Sequence, residues 1–292
     1  MSVLLGMCAM AGPRTASASQ AQSNTARTSR DQVYALSMAV AEGRTARIYV
    51  RVCRPEGDIP ARLVVINHGS PANSEDRPRM QIQSCDQEAA QWFLTRGYVV
   101  AFPLRRGYGA SGGDWAESYG GCDEADYFRA GLETALDINA AVEAVTSLPL
   151  VRPDGVVVVG QSAGGWGTIA YDSVAHPKVV AFIVMAGGRG GHLHGEPNRN
   201  CHPELLAQAA GRYGATATTP MLWVYAENDT FFRPAIARAL YQSFTRSGGR
   251  ATFEQPGHFD GDGHHLFFGQ GGSAIWGPIV EKYLAQQLGA TR

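Results

Sequence analysis

The chain has 292 residues, of which 45% are hydrophobic and 17% are charged, so it carries enough apolar material for one substantial core. Its formal net charge is −1, which excludes any electrostatic argument for nucleic acid or an acidic membrane as a partner. A protein that acts on small molecules is therefore expected.

The first residues form a segment of their own. Residues 2–12, SVLLGMCAMAG, are apolar but too short to span a bilayer, and an Ala-x-Ala pattern follows at residues 16–18. This pattern predicts a signal peptide over residues 1–18 and an exported, periplasmic or secreted protein with no stable membrane insertion. No basic residue precedes the apolar run, as one does in a typical signal peptide, so an ordinary tail on a cytoplasmic protein stays the alternative.

The cysteines fit export. Cys8 lies in the predicted signal, and Cys53, Cys85, Cys122 and Cys201 remain, an even number that permits two disulfides. Their pairing is not readable from the sequence, and buried free thiols are the alternative. Because Cys122 and Cys201 lie in polar, loop-like surroundings, at least one bridge is expected.

Apolar strands alternate with helical patterns along residues 19–292, which we interpret as a single domain. In chain order the sequence predicts strands QVYALSMAV, ARIYVRVC and RLVVINHG, helix DQEAAQWFLTRG, strand YVVAFPL, a long helix over residues 123–146, strand GVVVVG, helix SAGGWGTIAYDSVA, and strands VVAFIVMAG and MLWVYAEN. Helix PAIARALYQSFTRSGG, strand ATFEQP and helix SAIWGPIVEKYLAQQL complete the series. The first two strands resemble an antiparallel hairpin. Strands that are apolar on both faces indicate a mostly parallel sheet with helices on both sides, that is, an α/β fold.

Residues 187–219 interrupt this alternation. The segment is rich in Gly, His, Arg and Asn, and it separates two core strands. A segment of that length without strong periodicity is typically a functional cap or a binding loop. We therefore predict a small cap insertion here, with one short helix, PELLAQAAGRYG, inside it.

The segment VVVVGQSAGGWG carries the strongest chemical signal. Gly160-x-Ser162-x-Gly164 between a buried strand and a helix is the nucleophile-elbow pattern, in which the serine takes a strained backbone conformation that exposes its hydroxyl. The flanking residues must be small, because the backbones of strand and helix approach closely there. The alternative is a tight turn with an incidental serine.

A serine nucleophile needs a base and an orienting acid, which in this order follow later strands. The acid candidates are Asp229 and Glu227, and Asp229 is preferred because it lies further beyond the end of its strand. The base candidates lie in GHFDGDGHHLFF, where His264 is preferred over His265 and His258.

The motifs HGS, RRGYGASGG, GQSAGG, ENDTFF and DGHHLF together resemble the α/β-hydrolase superfamily, in its dienelactone-hydrolase-like branch of serine hydrolases. The resemblance covers the sheet from about the third strand to the end. It implies the α/β-hydrolase fold, with Ser162 as nucleophile, Asp229 as acid and His264 as base. It also implies an oxyanion hole formed by the backbone N–H groups of Ser70 and Ala163.

Other classes of function are possible for some of these residues. The histidines and aspartates of HFDGDGHH, and HLH together with Cys201-His202, could bind a divalent metal, but the triad already accounts for the first group. Residues 107–112 match G-x-G-x-x-G, but no apolar helix follows for a dinucleotide to bind. A non-catalytic relative is a further alternative, which the retained triad disfavours. We therefore expect neither a metal nor a cofactor.

The expected substrates are small to medium carboxylic esters, cleaved through an acyl-enzyme intermediate, with peptidase or thioesterase activity as alternatives. Tyr108, Trp166 and Phe231 are candidates for an aromatic substrate pocket, and core packing is the alternative for each. Arg189 and His192, with other polar residues of the insertion, are expected to form a mildly basic rim. The sequence does not decide the oligomeric state.

Overall fold

The computed structural model describes residues 30–41 and 43–289. The signal peptide predicted over residues 1–18 lies outside these residues. Within the part of the chain that the structure describes, none of the helices combines the length and apolar character that a membrane span requires.

In the part of the chain that the structure describes, eight strands form one sheet in the order β1-β2-β4-β3-β5-β6-β7-β8. The strands are β1 (Asp31–Ala41), β2 (Arg44–Cys53), β3 (Leu63–Asn67), β4 (Val99–Leu104), β5 (Val156–Gln161), β6 (Val179–Met185), β7 (Met221–Val224) and β8 (Ala251–Glu254). β1 pairs antiparallel with β2, and β2 antiparallel with β4, whereas all other neighbours are parallel. The predicted opening hairpin and mostly parallel sheet are both present.

Among the described residues, six α-helices cover the two faces of this sheet. They are α1 (Glu88–Leu94), α2 (Tyr127–Thr146), α3 (Ala163–Asp172), α4 (Pro203–Gly214), α5 (Pro234–Arg246) and α6 (Ser273–Gly289). One core cluster holds buried residues of α2 to α5, and the second holds those of α1 and α6. The α/β-hydrolase arrangement predicted from the sequence is therefore confirmed.

The central strand β5 shows why these residues form a sheet that is buried on both sides. All six of its residues are buried. Val156 and Val158 pack into the first core cluster, and Val157 and Val159 into the second. Successive side chains of a strand point to opposite faces, so a continuous run of valine supplies both cores at once.

Two disulfides are formed within residues 30–41 and 43–289, so the expectation of at least one bridge is confirmed. Cys53, at the end of β2, is joined to Cys85, which lies shortly before α1. Cys122, in the loop before α2, is joined to Cys201, which lies two residues before α4. The second bridge therefore ties the segment between β6 and β7 to the body of the domain.

Candidate active site

Ser162 lies between β5 and α3 in a strained backbone conformation. Its φ of 54° and ψ of −120° are uncommon for a residue with a side chain. A Cβ on Gly160 would lie 2.2 Å from the carbonyl oxygen of Gly164, and a Cβ on Gly164 would lie 2.4 Å from the carbonyl oxygen of Asn67. Only glycine fits at either position, so the local sequence is dictated by this turn.

The helix that follows the turn directs backbone donors toward the same place. α3 begins at Ala163, and the first N–H groups of a helix have no acceptor within the helix. Ser70, Ser162 and Ala163 all line one cavity of about 190 Å³. The two residues predicted to form an oxyanion hole therefore lie around the same space as the predicted nucleophile.

The structure brings together Asp229 and His264. His264 Nδ1 lies 3.1 Å from Asp229 Oδ2, and the two residues are 5% and 1% exposed. The other carboxylate oxygen of Asp229 accepts hydrogen bonds from the backbone N–H groups of Phe231 and Phe232, each at 2.8 Å. These bonds fix the carboxylate, which can in turn fix the orientation and tautomer of the imidazole ring.

The competing candidates lie elsewhere. Glu227, His258 and His265 are all exposed. The backbone N–H of Glu227 donates to the carbonyl of Pro256, which follows β8. The structure therefore favours Asp229 and His264 over the alternatives that the sequence left open.

Asp262 joins the loop that carries Asp229 to the loop that carries His264, a role that the sequence analysis missed. Its Oδ1 accepts from the backbone N–H groups of His264 at 2.9 Å and Thr230 at 3.1 Å, and its Oδ2 accepts from Thr230 Oγ1 at 2.6 Å. Although burial alone would raise the pKa of Asp262, these hydrogen bonds lower it below its ordinary value. The position of Asp262 in Asp-Gly-His is the only signal that the sequence offers.

The predicted aromatic pocket is only partly present. Phe231 lines the cavity, whereas Tyr108 and Trp166 are fully buried and are not among its lining residues. The indole N–H of Trp166 donates to the carbonyl of Tyr127 at 2.8 Å, because α3 packs on α2. The phenol hydroxyl of the buried Tyr108 contacts the hydroxyl of Ser70, which lines the cavity. The expectation that Tyr108 and Trp166 face the substrate is thus corrected.

The prediction for Arg189 is also corrected, because Arg189 belongs to the wall of the cavity and not to an exposed rim. It is only 4% exposed and forms an ion pair with Glu117. Glu117 also binds Arg105, whose Nε lies 2.7 Å from Glu117 Oε1. Sequence reasoning missed this cluster, although two consecutive arginines directly after a buried strand were a signal.

The insertion contacts the predicted triad through aromatic rings. The ring of Phe231 stacks on His264, with centroids 4.1 Å apart, and on His192, with centroids 3.5 Å apart. His192 Nε2 also lies 2.8 Å from Thr230 Oγ1.

Within residues 30–41 and 43–289, no group of three or more His, Cys, Asp or Glu residues is arranged to hold a metal ion.

Comparison with known proteins gives one family match. Residues 84–198, less than half of the chain, match the prolyl oligopeptidase family (Peptidase_S9). No curated protein matches the sequence.

Solved structures share the fold at low identity. An acylaminoacyl peptidase from Pyrococcus horikoshii is 15% identical with a TM-score of 0.63, and the match covers 90% of this chain and 42% of the peptidase. The dipeptidyl peptidase 4 of Porphyromonas gingivalis is 16% identical with a TM-score of 0.58, covering 87% of this chain and 34% of that one. The esterase Pf2001 of Pyrococcus furiosus is 14% identical with a TM-score of 0.57, covering 88% and 93%.

The chain spans less than half the length of the two peptidases and nearly the whole length of the esterase. The strand order and the elbow turn at Ser162 indicate the same kind of fold as the family match. The chain therefore has the α/β-hydrolase fold, and residues 84–198 are similar to the prolyl oligopeptidase family.

Proposed function

We propose that this protein cleaves small to medium carboxylic esters through an acyl-enzyme intermediate. The observation that carries the proposal is the buried contact of 3.1 Å between His264 Nδ1 and Asp229 Oδ2, in a fold whose elbow serine is Ser162. A carboxylate that orients an imidazole, and an imidazole that accepts the proton of a hydroxyl, together activate the hydroxyl as a nucleophile.

The chemistry follows from the roles of these groups. Asp229 engages Nδ1 of His264, so Nε2 is the nitrogen left to take the proton of Ser162. The serine oxygen then attacks the acyl carbon, and His264 returns the proton to the departing alcohol. The developing oxyanion accepts hydrogen bonds from the backbone N–H groups of Ser70 and Ala163. Water then attacks the acyl carbon while His264 takes one of its protons. His264 gives that proton to the serine oxygen as the bond to the acyl group breaks, so the acid is released and the serine is restored.

Peptide cleavage is the second candidate, because the matched family and two similar structures are peptidases. Ester cleavage ranks first on the size of the cavity. A volume of about 190 Å³ is below the range typical of sites for drug-sized ligands, and it suits a short acyl or alcohol group better than an extended peptide.

The test compares Ser162→Ala with a matched control, Ser147→Ala, in which an exposed serine at the end of α2 is changed. Ser162→Ala is expected to lose at least about 10³-fold in kcat and all labelling by a fluorophosphonate, with an unchanged circular dichroism spectrum. Labelling of Ser162→Ala at the wild-type level would overturn the assignment. The two candidates separate on p-nitrophenyl esters of increasing acyl length against aminoacyl p-nitroanilides.

Export is proposed alongside this function. The two disulfides support it, because such bonds persist in oxidising compartments. Protein recovered from the periplasm or medium of the producing cell is expected to begin near Ser19. Protein in that fraction that begins at Met1 and carries all five of its cysteines as free thiols would contradict the proposal.

A further inference from the structure

The first strand of the sheet leaves one of its two sides open. β1 is an end strand of the sheet and, with 11 residues, the longest of the described strands. The backbone N–H of Arg54 in the paired segment donates to the carbonyl of Arg30 at 2.8 Å, so the residues of β1 with even numbers bond to β2. The N–H and C=O groups of the alternate residues point away from β2. From Val33 to Ala39 these outward groups have no partner among the residues that the structure describes.

This open edge carries few of the features that keep a strand from pairing further. Pro and Lys are absent from β1, and Asp31 is its only charged residue. Its one register shift lies between Ala39 and Ala41, beyond the segment with the outward groups. By contrast β8, at the opposite end of the sheet, has only four residues and is followed closely by Pro256. A long edge of this composition is a template for another strand.

Both faces of β1 suit a neighbour of the same composition. On one face the side chains of residues 33–39 are exposed and no larger than valine, namely Val33, Ala35, Ser37 and Ala39. On the other face Tyr34 and Leu36 pack against the core but are only partly buried. A further strand would complete the burial of these two side chains, and burial of apolar surface favours association.

We propose that β1 pairs with β1 of a second copy of this chain, antiparallel about a two-fold axis at Leu36, so that two eight-stranded sheets become one. Such a contact requires a strand that complements itself when it is reversed. About Leu36, Tyr34 lies opposite Met38 of the other copy, and Ala35 lies opposite Ser37. Apolar side chains therefore meet on one face of the joined sheet, and small ones meet on the other.

The charges at the two ends of β1 favour the same pairing. Asp31 begins the strand, and Arg44 lies beside Ala41 at its other end. Reversal about Leu36 therefore brings Asp31 of one copy next to Arg44 of the other, and the axis repeats this contact. Arg44 is exposed, and no described residue pairs with its charge. The inference goes beyond the proposed hydrolysis and does not rest on it, since no residue of β1 lines the cavity beside the elbow serine.

Sedimentation of the purified protein tests the pairing. The wild type is expected to dimerise with a Kd below about 100 µM, and a monomer at that concentration would overturn the proposal.

Variants then locate the interface. Ala35→Pro removes an outward N–H group and no bond to β2, and Ala35→Lys places a charge on the edge. Because the axis makes each change count twice, both are expected to raise the Kd at least about thirtyfold, with an unchanged circular dichroism spectrum. Thr45→Lys is the control, since it adds the same charge at an exposed position of β2, and it is expected to leave the Kd within about threefold. A dimer that persists in both Ala35 variants, or an equal weakening by Thr45→Lys, would refute the pairing of edges.

Hydrogen exchange of single amides, followed by NMR, identifies what covers the edge. In the wild-type dimer the amides of Val33 and Ser37 are expected to exchange at least about tenfold more slowly than in Ala35→Lys, whereas those of Tyr34 and Leu36, which bond to β2, change little. Equally fast exchange of Val33 and Ser37 in the two proteins would overturn the proposal. Slow exchange of these two amides in a wild type that sediments as a monomer would show that the same chain covers its own edge, and would also overturn it.

Discussion

The two disulfides are expected to differ in what their removal does. The perturbations are Cys122→Ala with Cys201→Ala, and Cys53→Ala with Cys85→Ala. The sequence separations are 79 and 32 residues. The chain-entropy relation then gives about 4.5 kcal/mol for the longer loop and about 3.7 kcal/mol for the shorter one at 25 °C. Both pairs lower the free energy of unfolding, and the first lowers it more.

Only the first pair is also expected to impair catalysis. Cys122 follows the loop that carries Trp115 and Tyr119, both of which line the cavity. On the other side of the bridge, the backbone N–H of Cys201 donates to the carbonyl of Gly190, a further lining residue, at 2.7 Å. The bridge thus joins two walls of the cavity. Loss of this bridge is expected to lower kcat/KM by about tenfold or more, since small displacements of positioning groups are costly.

Urea unfolding followed by circular dichroism gives the stability change, and ester hydrolysis under folding conditions gives the activity change. Each double variant is compared with oxidised wild type. An equal loss of activity in the Cys53–Cys85 variant would refute the argument from the cavity walls. A smaller destabilisation from the longer loop than from the shorter one would refute the argument from chain entropy.

Three further outcomes are expected. Gly164→Ala places a Cβ 2.4 Å from a backbone oxygen and is expected to cost at least about 3 kcal/mol in urea unfolding, while Gly257→Ala, with nothing within 4 Å, costs little. Asp262→Ala removes three accepted hydrogen bonds and is expected to cost about 2–3 kcal/mol and to lower kcat; unchanged kcat would argue against its positioning role. Burial lowers the pKa of His176, but the hydrogen bond and charge of Asp172 outweigh it and raise the pKa overall. The stability that His176 contributes relative to His176→Gln is therefore full below about pH 6.5 and is lost as the pH rises through the folded-state pKa. Urea unfolding midpoints of the two proteins, measured at about pH 5.5 and about pH 8.5, would show this loss. A stability difference between them that grows with pH would contradict the expectation.

Local pattern was enough to predict the sheet and its helices. The run of valines before Ser162 is apolar at every position, and it forms a strand that is buried on both faces. Helix α4 has the bounds of the predicted segment PELLAQAAGRYG, because a proline suits the first turn of a helix and a polar, small-residue segment follows its end. These features depend on neighbours in sequence, which the sequence displays directly.

How deeply a given side chain is buried was harder to predict from the sequence. Tyr108 and Trp166 follow core strands as pocket residues often do, yet both lie behind the cavity wall. The Arg105–Glu117–Arg189 cluster joins two loops that are far apart in the chain. Which carboxylate meets which arginine is decided by the packing of the loops after β4 and β6, and no spacing in the sequence encodes that choice.

Phe231 connects the selection of substrate with the orientation of the proposed base. One face of its ring stacks on His264 at 4.1 Å, the other on His192 of the insertion at 3.5 Å, and the residue also lines the cavity. A substrate that displaces Phe231 therefore also disturbs the imidazole that must receive the proton of Ser162. A poorly fitting substrate then loses stabilisation of the transition state, not only binding, and its penalty falls on kcat as well as on KM. The insertion is therefore expected to act on the proposed chemistry through this ring, although it contributes none of the proposed catalytic residues.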